Sequence, residues 1–199
     1  MKIEDEALDR IRKARARMLL KHPFFATLVM STPYKITEEI PTAGTNMRQL
    51  LFNPNFVCGL PNDEQVMFLL AHEVMHNALL HSLRLHERNP MVWNMAADYA
   101  INPILVDSGM EFIPGGLLDD KYRELSADII YDKLMAEIDK NGGQKPDPGN
   151  MSGDLQDPFA GDGDGDGNED GHSGTGNMDP AGEAKLRREM QNKVAQASS

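Results

Sequence analysis

A run of five residues, His72-Glu-Val-Met-His76, lies within an apolar stretch that spans residues 66–80. Because the stretch is apolar on nearly every side, it predicts a buried central helix rather than a helix at the surface. Side chains four residues apart lie one above the other on the same face of a helix, so both imidazoles can reach one metal ion. The rest of the chain must therefore fold around a helix that buries two histidines and a glutamate.

This spacing matches the HExxH motif of zinc metallopeptidases. It predicts that His72 and His76 bind the metal and that Glu73, about 100° further around the helix, takes a proton from a zinc-bound water. The structural alternatives are a hydrogen-bonded pair of core histidines and a buried ion pair at Glu73. A carboxylate buried without a partner is costly, and a metal-bound water supplies a partner, so the metal site is favoured.

A catalytic zinc site usually has three protein ligands and one open position, so a third ligand is required. If the helix is straight, His81 faces away from His72, and His86 lies roughly 20 Å along the axis. The metzincin motif requires glycine and histidine where this chain has Leu79 and Ser82, which excludes that class. The third ligand is therefore predicted to be a carboxylate.

Two carboxylates are the candidates for this third ligand. Glu87 lies between Arg84 and Arg88, a pattern that is typical of a surface ion pair. Asp98 lies in an otherwise apolar helix, predicted over residues 92–105, where a lone carboxylate needs a charge partner. Asp98 is therefore the predicted ligand, and a buried salt bridge of Asp98, for instance to Arg84, is the alternative.

Other side chains near the motif are predicted to support the site. Asn94 and Asn102 lie about one helical turn on either side of Asp98 and can orient it. His81 is expected to serve as a nearby hydrogen-bonding group. A hydrolytic site also needs a group that stabilises the oxyanion. The candidates are Tyr99, Tyr122, His81 and Arg84.

Hydrophobic periodicity predicts an α+β fold, mostly helical, with a small antiparallel β-sheet before the central HExxH helix. Strands are predicted over Tyr34–Ile40 and Arg48–Phe52, with a turn at residues 41–46. Helices are predicted over residues 5–21 and, after a cap at Ser126, over the residues up to 140. This arrangement is zincin-like, and the edge of such a sheet can pair with an extended peptide substrate.

Three further expectations concern the helices. The central helix is predicted to extend as far as Arg84. The basic face of the first helix is predicted to be solvated rather than a binding patch, and it comprises Arg10, Arg12, Lys13, Arg15 and Arg17. The apolar stripe of the last helix is predicted to comprise Ile129, Ile130, Leu134 and Ile138.

Composition divides the chain into a domain at residues 1–140, an acidic Gly/Asp-rich disordered linker at 141–181 and a short helical C-terminal segment at 182–199. The linker contains nine acidic residues and one lysine, a net charge of −8, so the net charge of −11 for the whole chain says little about the domain. No nucleic-acid-binding footprint, membrane span or secretory signal is visible, and the single cysteine fits a reducing compartment. A cytoplasmic protein is therefore expected.

The segments AHEVMHNALLHSLR, WNMAADYAIN and LSADIIYDKL resemble the metallopeptidase domain that precedes von Willebrand factor A (VWA)-like modules in bacteria and phages. The resemblance covers residues 5–138. In that family an acidic low-complexity linker commonly leads to the VWA-like domain, and residues 141–181 resemble that linker. The family pattern of HExxH and a downstream aspartate matches His72, Glu73, His76 and Asp98.

Together these features predict a zinc-dependent metallopeptidase that hydrolyses peptide bonds in a peptide or protein substrate. The alternative is a metal-stabilised, non-catalytic interaction module that works with a VWA-like domain or a MoxR-type AAA+ ATPase. In that alternative the sheet edge near Arg48–Phe52 is the contact surface. Water access to the metal distinguishes the two functions, because only an open site can hydrolyse a substrate.

Overall fold

The computed structural model describes residues 2–143 and 180–199. Within these ranges the chain is mostly helical and contains one small sheet, which confirms an α+β fold. Two 3₁₀ turns, Ser82–Arg84 and Asp120–Tyr122, accompany the main elements. In chain order the helices and strands are α1 (Ile3–Lys21), α2 (Pro23–Met30), β1 (Tyr34–Ile36), β2 (Ala43–Thr45), β3 (Leu50–Phe52), α3 (Pro54–Gly59), α4 (Asp63–Ala78), α5 (Pro90–Asp107), α6 (Ala127–Lys140) and α7 (Pro180–Ala197).

The sheet is mixed rather than antiparallel, and its strand order is β1-β3-β2. Strand β1 runs parallel to β3, whereas β2 runs antiparallel to β3. The predicted hairpin is therefore wrong, because residues 41–46, assigned to its turn, contain a strand of their own. The predicted sheet edge near Arg48–Phe52 is also wrong, since β3 is the central strand. Strand β2 escaped prediction because Ala43 and Gly44 have little β propensity, although all its residues are buried.

Arg10 connects helix α1 to α3 and α4, the two helices that follow the sheet. Its Nε lies 3.4 Å from Oδ1 of Asp63, the first residue of α4. Its Nη1 donates to three backbone oxygens at the end of α3, those of Val57, Cys58 and Leu60. The prediction of a solvated basic face is therefore wrong for Arg10, whose side chain is 14% exposed. Arg10 instead helps to position the start of the helix that bears the motif.

Helix α4 ends at Ala78, earlier than predicted, and the chain then reverses. Leu80 adopts the left-handed conformation, with a φ of 57°. Its backbone N–H donates to the oxygen three residues earlier, and the N–H of His81 donates to the oxygen of His76, both at 3.0 Å. These two bonds form a Schellman motif, which usually has glycine at the left-handed position. His81 therefore lies back against the last turn of α4.

Helix α5 lies between α4 and α6 and packs against both. It continues through Pro103 to Asp107, two residues beyond the predicted end. Three members of the stripe predicted for α6 are buried, namely Ile130, Leu134 and Ile138. The prediction is wrong for the fourth member, Ile129, which is 48% exposed, whereas Ala127 is buried.

Helix α7 packs against α2 and α4, with Met190 buried in the contact. The predicted linker at residues 141–181 lies, from residue 144 to residue 179, outside the described residues. In the part of the chain that the structure describes, no helix combines the length and the apolar character that a membrane span requires.

Candidate metal centre

Two adjacent helices supply three ionisable side chains that meet in the core. His72 and His76 come from successive turns of α4, and Asp98 comes from α5. The Nε2 atoms of the two histidines lie 2.9 Å apart. Oδ1 of Asp98 lies 3.5 Å from Nε2 of His72 and 3.3 Å from Nε2 of His76. We refer to these three residues as the centre.

The triangle formed by these three atoms has the size of one face of a metal coordination tetrahedron. Ligand atoms about 2.0–2.1 Å from a tetrahedral ion lie roughly 3.3 Å from one another. The observed separations of 2.9, 3.3 and 3.5 Å bracket that value. All three atoms can therefore lie about 2 Å from a single point, and the centre fits one metal ion.

The surroundings of Asp98 also fit a cation. Asp98 is 1% exposed, and within the described residues neither of its carboxylate oxygens has a hydrogen-bond donor in bonding geometry. Arg84, the alternative partner, forms its ion pair with Asp128 instead. Burial of a carboxylate without hydrogen bonds is costly. A cation bound between Asp98 and the two histidines would compensate this charge.

Asn102 determines the tautomer of His72. Its Nδ2 donates to the backbone oxygen of Leu117 at 2.7 Å, so its Oδ1 faces Nδ1 of His72 at 2.8 Å. An amide oxygen can only accept, so His72 carries its proton on Nδ1 and presents the lone pair of Nε2 to the centre. The prediction that Asn102 orients Asp98 is wrong, because its amide extends across to α4.

His81 lies next to the other histidine of the centre. Its Nδ1 is 3.2 Å from Nδ1 of His76, and the two rings meet edge to face at 73°. The prediction that His81 faces away from the site is wrong, because it assumed a straight helix and the chain reverses at Leu80. The expectation that His81 is a hydrogen-bonding group near the site is confirmed.

Burial and mutual contacts set the protonation of the centre. Burial lowers the pKa of His76 to about 4 and lowers the pKa of His81 well below its ordinary value. Burial opposes ionisation of Asp98, but the contacts with His72 and His76 outweigh it and lower the pKa of the carboxyl. At neutral pH His76 is therefore neutral and Asp98 is ionised, and these are the forms that bind metal.

The structure also places the remaining motif residue and the rejected ligands. Glu73 lies in the turn of α4 between the two histidines and is fully buried. His86 and Glu87 are exposed, so neither reaches the centre. The preference for Asp98 over Glu87 therefore agrees with the burial of the two carboxylates.

The four candidates for oxyanion stabilisation differ in the residues that they contact. Tyr99 and Tyr122 pack against each other with tilted rings, whose centroids lie 4.6 Å apart. Arg84 pairs with Asp128 and lies over the ring of Trp93. The hydrogen bond and the ring contact of His81, in contrast, reach His76 of the centre.

Most of the chain matches the model of a known protein family. The model of a family described as "Putative metallopeptidase domain" matches residues 6–199. No curated protein and no solved structure matches the chain. The matched range includes the centre, Glu73 and helix α7.

Proposed function

The chain belongs to the family described as putative metallopeptidase domains, and from this membership we propose that it is a zinc-dependent peptidase with a zincin-like active site. His72, His76 and Asp98 are the proposed zinc ligands, and Glu73 is the proposed general base. The observation that carries the proposal is the meeting of two imidazole nitrogens and one carboxylate oxygen within 3.5 Å of one another in the core.

Zinc suits this set of donors. It binds imidazole nitrogen and carboxylate oxygen in tetrahedral sites, and three protein ligands leave a fourth position for water or substrate. Two histidines and one carboxylate also suit Fe(II). Glu73, directly after the first histidine of an HExxH motif, favours zinc and hydrolysis over iron chemistry.

In the proposed reaction Glu73 moves a proton within the site. When bound, zinc polarises the scissile carbonyl and acidifies the attacking water. Glu73 accepts one proton of that water and transfers it to the nitrogen of the leaving amine. The water oxygen first bonds to the carbonyl carbon, the peptide C–N bond then breaks as its nitrogen receives the proton, and Glu73 returns to its ionised state at the end of the cycle.

The burial of the centre sets a condition on this reaction. His72, Glu73 and His76 are 0% exposed, so a peptide reaches them only after the covering segments move apart. Strand β2 lies at one edge of the sheet and packs against α4. We therefore take the edge of β2 as the place where an extended substrate pairs with the sheet.

The same burial favours a second candidate function, a metal-stabilised interaction module. In that function the metal stabilises the fold and the domain acts on a partner, such as a VWA-like domain or an AAA+ ATPase, without hydrolysis. A closed centre would then be the working state. Binding of a hydroxamate inhibitor separates the two candidates, because it requires an open metal position.

The test combines elemental analysis of the purified protein with a peptide-hydrolysis assay. We expect about one zinc per chain, lost in His72→Ala and retained in Glu73→Gln. Hydrolysis should fall by roughly 10²–10⁴-fold in Glu73→Gln, because the proton acceptor is removed. The exposed His86 provides the control, and His86→Ala should retain metal and activity.

Two outcomes oppose the proposal. A protein that takes up no zinc, even when zinc is supplied in excess, would overturn the metal site. A protein that binds zinc but neither hydrolyses peptides nor binds a hydroxamate would support the interaction module.

A further inference from the structure

We propose that His81 is a positioning residue for the metal centre. It holds His76 in the orientation and tautomer that direct Nε2 of His76 toward His72 and Asp98. This inference rests on the proposed function, because it requires a metal at the centre. It adds a residue that lies outside the HExxH motif and outside the ligand set.

The geometry leaves His76 one ring nitrogen for an outer partner. Its Nε2 faces the centre, 2.9 Å from Nε2 of His72 and 3.3 Å from Oδ1 of Asp98. Its Nδ1 faces Nδ1 of His81 at 3.2 Å. Both rings are buried, His76 at 0% and His81 at 1% exposure, so water does not compete for this contact.

The contact also determines which nitrogen of His76 carries the proton. An imidazole that binds a metal through Nε2 is protonated on Nδ1. The Nδ1–H group of His76 must then donate, and the lone pair of Nδ1 in His81 is the acceptor that faces it. Outer partners of this kind orient metal-binding histidines and affect metal affinity.

His72 has an equivalent partner, which supports the assignment for His76. Nδ1 of His72 donates to Oδ1 of Asn102 at 2.8 Å. Each histidine of the centre is therefore matched, through Nδ1, with a buried acceptor from outside the motif. The acceptor for His72 comes from α5, and the acceptor for His76 comes from the reversal that follows α4.

The position of His81 is itself fixed at two points. Its backbone N–H donates to the oxygen of His76 in the Schellman motif at 3.0 Å. Its backbone oxygen accepts a hydrogen bond from Nε1 of Trp93 at 2.9 Å, and the two rings meet edge to face. Trp93 lies on α5, the helix that also supplies Asp98, and Arg88 covers its ring at 4.6 Å.

A purely structural role for His81 gives a different expectation from a positioning role. If the ring only fills space, an apolar side chain of similar size preserves metal binding. If the lone pair on Nδ1 is needed as an acceptor, metal binding is preserved by a side chain that places an acceptor at the same position and is weakened by one that does not. Asparagine places its Oδ1 where histidine has Nδ1, whereas leucine fills the space without an acceptor.

The test therefore compares His81→Leu with His81→Asn in the full chain. Zinc affinity is measured by competition with a chelator, and the visible spectrum of the cobalt-substituted protein reports the ligand geometry. Unfolding of the metal-free proteins is followed in parallel, to detect any general loss of stability. His86→Leu is the matched control, because His86 is exposed.

We expect His81→Leu to weaken zinc binding by roughly 10–100-fold and to alter the cobalt spectrum. His81→Asn should bind zinc as the wild type does, and His86→Leu should be unchanged. If His81→Leu does not fold, the comparison of His81→Asn with the wild type still tests the acceptor.

Three results would overturn the inference. Wild-type affinity and an unaltered spectrum in His81→Leu would show that the acceptor is not needed. An asparagine variant as weak as the leucine variant would show that Nδ1 is not the acting atom. A wild-type chain that binds no zinc would remove the centre itself, and with it the proposed function; the first two results leave that function intact.

Discussion

Thr45 Oγ1 donates a hydrogen bond to Oδ1 of Asn77 at 2.8 Å, which connects edge strand β2 to the residue directly after His76. Both residues are 0% exposed. The sheet edge and the motif helix are therefore joined by a buried polar contact as well as by apolar packing. A displacement of β2, of the kind that substrate pairing would cause, acts directly on the turn of α4 that carries His76.

We expect Thr45→Val to destabilise the protein by about 1–3 kcal/mol, because it leaves the buried amide of Asn77 without its donor while it preserves the shape of the side chain. Thr45→Ser retains the hydroxyl and is the matched control. The free energy of unfolding, measured with urea, checks the prediction. A valine variant as stable as the serine variant would contradict it.

Zinc should stabilise the wild type against heat but should not stabilise Asp98→Asn. A ligand present at 1,000 times its Kd stabilises the folded state by about 4 kcal/mol, and asparagine has the shape of aspartate without its charge. The measurement is the Tm with zinc and with a chelator. Asp132→Asn, on the exposed side of α6, is the control and should respond as the wild type does. Equal shifts in all three proteins would argue against Asp98 as a ligand.

The metal-free protein should lose stability in acid, between pH 6.5 and about 4. Burial lowers the pKa of His76 to about 4 in the folded state, so in this window the unfolded chain binds more protons than the folded chain. The free energy of unfolding therefore falls as the pH falls, by about 3 kcal/mol for His76 alone. The lowered pKa of His81 acts in the same direction.

This pH dependence is measured by urea unfolding at several pH values in the presence of a chelator. His76→Asn removes the imidazole of His76, leaves that of His81 and should reduce the slope. A free energy of unfolding that stays constant from pH 6.5 to pH 4 would show that these imidazoles are not neutral in the folded state.

Arg10→Met should destabilise the protein by about 1–3 kcal/mol, because the backbone oxygens at the end of α3 lose their charged donor while the aliphatic stem is retained. The oxygens concerned are those of Val57, Cys58 and Leu60. Arg12→Met is the control, since Arg12 is exposed on the same helix. The two variants are compared by urea unfolding, and equal stabilities would contradict the role given to Arg10.

Helices were the part of the fold that the sequence predicted well, because their signals are local. Ser126, for example, caps α6 by accepting a hydrogen bond from the backbone N–H of Ile129, as its position suggested. The sheet could not be predicted in the same way. Pairing direction depends on contacts between distant residues, and Gly44, in the middle of β2, has no side chain to indicate a strand.

The site shows the same division between local and non-local information. The spacing of His72 and His76 follows from helix geometry, and Asp98 stands out as the carboxylate of an apolar helix. The position of His81 depends on a helix end that the sequence does not mark, because Leu80 occupies the place where glycine is usual. The contact between His81 and His76 could therefore be seen only in the structure.

The centre and its outer partners all lie between His72 and Leu117, so their assembly closes only short loops. Short loops cost little entropy to close and form quickly. Helix α7, in contrast, packs against α2 with most of the chain between them. In a chain that is still emerging from the ribosome, every residue of the proposed centre and its partners is therefore made before α7.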